Sequence, residues 1–225
     1  IAGSLCGLAF GRFMKENLKQ TLMMVSGIIV LLLGMSGAMQ YMLVIVNGTL
    51  QTTGPMLMII SMVAGAVIGE LIDLNRWITV FGDWVKAKTG NTGDPQFTHA
   101  FITASLTFTV GAMGVLGSIQ DGLTGNYQTL LLKGILDGII VMVMVSSMGK
   151  GALFSFIPVG ITQWIITAMA HIAAPLMTPS AIDNLSYVGS ILIFCVGIDL
   201  IWPGKIRIAN LLPAIFVAMG LTFLL

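Results

Sequence analysis

The chain has 225 residues, of which 56% are hydrophobic and only 8% charged. Soluble domains carry roughly 25% charged residues, so this composition belongs in a bilayer. A net charge of +1, from ten scattered Lys and Arg, leaves no electrostatic footprint for nucleic acid.

A membrane helix needs about 20 mainly apolar residues, and the sequence predicts an all-α polytopic bundle of about eight such spans in a single transmembrane domain. Residues 1–11 form a truncated first span; the chain opens at Ile1 inside an apolar run, so a few upstream residues are expected to precede this numbering. Gly3, Gly7 and Gly11 repeat every fourth position, which lets another helix approach closely. Arg12, Lys15, Glu16 and Lys19 make a charged connection to a second span over about 21–46. An uncharged loop at 47–55 leads to the third span, 56–73, where Gly65 and Gly69 repeat the spacing.

Residues 74–87 read differently. Leu74, Trp77, Ile78, Phe81, Trp84 and Val85 follow helical periodicity, while Arg76, Asp83 and Lys86 take the other face. This pattern predicts an amphipathic helix in the membrane interface, with two tryptophans at headgroup depth. An exposed, turn-rich loop covers 88–96. The remaining spans are placed at 98–117, 128–148, 152–176, 185–202 and 206–225. Pro158, Pro175 and Pro213 kink the helices that contain them.

Nine of the ten basic residues fall in odd-numbered connections and none in the second, fourth or sixth loop. That bias puts Arg12, Lys86, Lys88, Lys150, Lys205 and Arg207 on the cytoplasmic side of a bacterial inner membrane, with both chain ends outside. Cys6 and Cys195 sit in apolar runs and are expected to be buried free thiols.

The tenth basic residue is the exception. Lys133 lies inside the fifth span, and Asp137 follows one turn later on the same face. Ionisable groups at membrane depth are costly, and they mark solute paths by default. The pair is either a coordination or proton-relay site, or a structural ion pair that locks two helices. Gln163 falls at similar depth in the sixth span, as interhelical glue or as a ligand for a polar solute. Glycines at 111, 114, 117, 122 and 125, interleaved with Ser118, Gln120 and Asp121, either break the fourth helix or pack it closely. A broken helix offers backbone groups to ions, a device of transporters. Two separated histidines and no Cys cluster argue against a metal enzyme, and no phosphate-binding loop or nucleophile elbow is present, so neither enzymatic chemistry nor a cofactor is expected.

The run GAMGVLGSIQDGLTGN (111–126), then LLLKGILD (130–137), TPSAIDNLSYVGSILI (178–193), IANLLPAIFVAMG (208–220) and GAVIGELI (65–72) resemble the YqgA/YdfK-type bacterial inner-membrane family, a domain of unknown function. The likeness covers essentially the whole chain; the family pattern commonly has Ser at the position of Gly134. The resemblance implies an integral membrane protein, sometimes labelled a transporter, with no established substrate. The residues themselves lead to a small secondary transporter or channel for an ion or small polar solute, with a site built by Gln120, Asp121, Lys133, Asp137 and Gln163. The bilayer and a second copy of the chain, as a homodimer, are the expected partners. The alternative is a structural or regulatory membrane subunit whose buried pair only fixes packing.

Overall fold

The computed structural model describes residues 2–11, 15–109, 112–176 and 178–223. Arg12, used above for orientation, and Gly111, the first glycine of the 111–125 series, lie outside them. The architecture is an all-α bundle with one small hairpin. Helices α2 (Glu16–Met42), α3 (Pro55–Ile72), α7 (Gln128–Met148) and α11 (Pro179–Ile201) are each long and apolar enough to cross a membrane. So is the stretch Lys150–Ala168, which contains α8 (Lys150–Leu153) and α9 (Phe156–Ala168). Helices α5 (Phe97–Thr109) and α6 (Ala112–Thr124) form a further candidate span, bent by 59° at their junction.

The eight expected spans thus become five full-length ones, one bent pair and two shorter apolar segments. The shorter segments are α1 (Ala2–Gly11) and the run Ile208–Leu221, made of α12 (Ile208–Leu211) and α13 (Pro213–Leu221). Pro213 opens α13, where its missing N–H would have had no partner in any case. The sixth predicted span continues past α9 as a short helix α10 (Ala170–Ala173) and a single 3₁₀ turn at Ala174–Leu176.

The second span ends earlier than expected. Leu43–Val46 (β1) and Thr49–Thr52 (β2) pair as an antiparallel hairpin around Asn47-Gly48. Both turn residues have positive φ, 52° and 77°. Asn-Gly suits that turn geometry, and Val-Ile-Val resists continuing a helix because β-branched side chains are stiff. The predicted amphipathic helix is α4 (Leu74–Lys88), divided from α3 by Asp73 in the left-handed conformation (φ 53°), whose carboxylate accepts from the Arg76 N–H.

Glycines set the closest contacts. Gly34 on α2 lies against the Phe194 backbone of α11, and Gly197 on α11 lies against the Leu31 backbone of α2, so each chain notches into the other. Gly3 and Gly7 of α1 face the backbones of Gly138 and Met142 on α7, which places that strip inside the subunit. Gly69 of α3 abuts the backbone of Asn210. The largest apolar core, including Ala104, Met144, Val145, Val196 and Leu200, joins α5, α7 and α11.

The polar residues segregate to two ends. At one, Arg207 pairs with Glu70 at 2.9 Å, and Asp199 holds His99 at 3.2 Å and the Gly204 N–H at 2.8 Å. There too the Asn75 N–H donates to Asn210 Oδ1 at 2.6 Å, tying α4 to α12. Lys19, Asp94 and Lys150, from three different connections, line one cavity of about 340 Å³ at this basic end. The opposite end carries the hairpin and a cavity of about 390 Å³ lined by Thr53, Asp183 and Tyr187. Both cysteines are free, but neither is buried as expected: Cys6 is exposed on α1 and Cys195 is half-buried on α11. Apolar side chains such as Leu71 and Trp164, each 82% exposed, face outward, as lipid contact requires.

Candidate functional site

Lys133 and Asp137 lie one helical turn apart on α7, and Lys133 Nζ donates to Asp137 Oδ2. Lys133 Nζ also donates to the backbone carbonyl of Phe108 at 2.9 Å. That carbonyl belongs to the last turn of α5, where helix carbonyls have no N–H of their own helix to accept from. The negative end of the α5 dipole points the same way, so an ammonium is well placed there. The end of α5 therefore supplies half of the Lys133 site, while Gly114, Gly117 and Gly122 lie inside the continuous helix α6, where Gly117 packs against Leu130 and Gly122 against Thr167.

The two charges differ in access. Lys133 is only 7% exposed, whereas the Asp137 side chain keeps 27% of its surface open. Asp137 lines two cavities at once. One, about 180 Å³, is bounded by α1, α7 and α9 and includes Ser4, Ser155 and Gln163. The other, about 300 Å³, is bounded by α2, α5, α7 and α11 and includes Gln40, Tyr41, Thr107, Ser186, Ser190 and Lys133. Gln40 and Tyr41 also line the cavity at the hairpin end, so the two cavities share a polar wall there.

Gln163 joins this cluster. A Cβ added at Gly114 of α6 would stand 3.2 Å from Lys133 Cε and 3.7 Å from Gln163 Nε2, so the glycine makes room for both side chains. Gln120 and Asp121 sit elsewhere. Gln120 Oε1 accepts from Thr129 Oγ1 at 2.8 Å, and neither residue lines the two central cavities. The structure thus brings Lys133, Asp137 and Gln163 together and leaves Gln120 and Asp121 further along α6.

Sequence reasoning missed the Phe108 carbonyl, Gln40, Tyr41, Ser186 and Ser190. The last two carried a signal, being polar residues four apart and therefore on one helix face. The Thr107 hydroxyl bonds back to its own helix, donating to Thr103 O at 2.7 Å, while the residue lines the larger cavity. Among the described residues, no group of three or more His, Cys, Asp or Glu is placed to hold a metal ion.

The family model "Protein of unknown function (DUF554)" matches residues 1–223. The chain is 26% identical to "Uncharacterized membrane protein YdfK" of Bacillus subtilis (strain 168) over 226 residues, covering 100% of this chain and 92% of that one. It is 27% identical to "Uncharacterized protein YqgA" of Escherichia coli (strain K12) over 173 residues, covering 73% and 72%. No solved structure matches it significantly. A family match over nearly every residue, on a bundle of membrane-length apolar helices, makes this a multi-pass membrane protein belonging to the DUF554 family.

Proposed function

We propose that the protein is a small secondary transporter or channel that moves an ion or small polar solute across a bacterial inner membrane. One observation carries the reading: a carboxylate near the middle of a membrane-length helix, paired with a buried lysine, opens onto two cavities whose mostly apolar walls each carry several polar side chains. A solute reaching the pair needs such access, which a lock between helices does not require. Lys133, Asp137 and Gln163 form the site, no covalent chemistry is done on the solute, and the functional unit is a homodimer. The basic end faces the cytoplasm, following the positive-inside bias.

A second reading has one observation in its favour. Lys133 bonds to the α5 carbonyl and the α7 carboxylate together, as a lock between those helices would. Reconstitution into proteoliposomes, with a flux screen over alkali cations, anions and neutral polar solutes, separates the two. Transport abolished by Asp137→Asn in a folded protein supports the proposal. A wild-type protein that passes none of these solutes, with a variant that only melts earlier, supports the lock.

A further inference from the structure

We infer that the solute is a monovalent cation exchanged for a proton, with Lys133 acting as the internal competitor that occupies Asp137 when the cation is absent. This rests on the transport reading and adds the class of ion to it.

The larger cavity is rich in acceptors. A hydroxyl has one hydrogen to give and two lone pairs to offer. Thr107 donates to Thr103 O, Ser186 to Ile182 O and Ser190 to Ser186 O. With those hydrogens committed to their own helices, the three hydroxyl oxygens of these cavity-lining residues keep lone pairs to offer. Asp137 adds its carboxylate, whose Oδ2 accepts from Lys133. Hard cations take such oxygen ligands. An anion finds the reverse: one ammonium, already shared between Phe108 O and Asp137, and, among the described residues, no other cationic side chain lining either central cavity.

The charge balance then dictates exchange. A cation on Asp137 beside a protonated Lys133 leaves the site with a net positive charge at membrane depth, an expensive state. Release of the Lys133 proton into the cavity restores neutrality, and the free amine stays hydrogen-bonded at the end of α5. Return of a proton to Lys133 rebuilds the ion pair and expels the cation. One positive charge is present in both states, so a cation enters as a proton leaves. Among the described residues, Tyr41 is the one other titratable side chain lining either central cavity.

The test uses the purified full chain in detergent, weakly buffered, with a pH-sensitive dye. Lithium, sodium, potassium or rubidium chloride is added and compared with N-methyl-D-glucamine chloride at equal ionic strength. At least one alkali cation should release about one proton per chain, with an apparent affinity that strengthens about tenfold per pH unit. The bulky organic cation should release none. Asp137→Asn should abolish release, and Ser190→Ala, which removes an acceptor without touching a charge, should weaken the affinity about tenfold. Lys133→Arg keeps a cation beside Asp137 but cannot give up its proton, so it should lose proton release. Release that survives in Lys133→Arg overturns the assignment. No release by any alkali cation, with anion or neutral-solute flux intact in proteoliposomes, overturns the ion class and leaves transport standing. No release and no flux of any solute overturns both.

Discussion

Replacing Asp137 by alanine leaves Lys133 against the Phe108 carbonyl alone. Lys133 is almost fully enclosed, and losing one partner of a buried pair costs about 3–5 kcal/mol. Adding Lys133→Met removes the stranded charge and should bring the double variant to within about 1–2 kcal/mol of the parent, because apolar replacement of a buried pair is often neutral. Unfolding in mixed micelles with a denaturing detergent, followed by circular dichroism, reads both variants. A penalty below about 1 kcal/mol for Asp137→Ala, or simple additivity in the double variant, would refute the picture of a buried, mutually dependent pair.

Gly7→Leu drives a side chain into the Met142 backbone and should lower the melting temperature while leaving the mass by light scattering unchanged, since the contact lies within one subunit; a change in mass with no change in melting would place the strip between subunits instead. Single cysteines at Thr52, Gly125 and Asp183 should react with an impermeant reagent from one face of the membrane and those at Lys88 and Lys205 only from the other; equal labelling of Lys88 and Asp183 from one side would break the proposed orientation.

Much of this fold was legible because a bilayer imposes a simple rule: apolar runs of span length become helices, and basic residues mark their ends. The interfacial pattern of 74–87 was equally direct, recovered as Leu74–Lys88. What escaped was local or cooperative. The hairpin lay hidden because Leu43–Val46 is as apolar as the helix before it, and only Asn47-Gly48 announces the turn. At the site, the Lys133–Asp137 spacing reads directly from the chain, but Phe108 contributes a backbone carbonyl, which no side-chain pattern reports. Gln120 and Asp121 looked equivalent to Gln163 because a sequence shows depth along a helix and not which neighbour that depth will face. Tyr41, Ser186 and Ser190 come from helices remote in the chain, and only the packing of α2 on α11 puts them beside α7.

The reciprocal glycine notches of α2 and α11 have a mechanical consequence. With each backbone seated in a gap of the other, sliding either helix means lifting it over a carbonyl ridge, so the two behave as a single stiff beam. Under the proposed transport, that beam cannot gate the site by shear, and any displacement falls to the helices facing it. Tyr41, Ser186 and Ser190 ride on the beam, Gln163 on α9 opposite, and Lys133 and Asp137 on α7 between them.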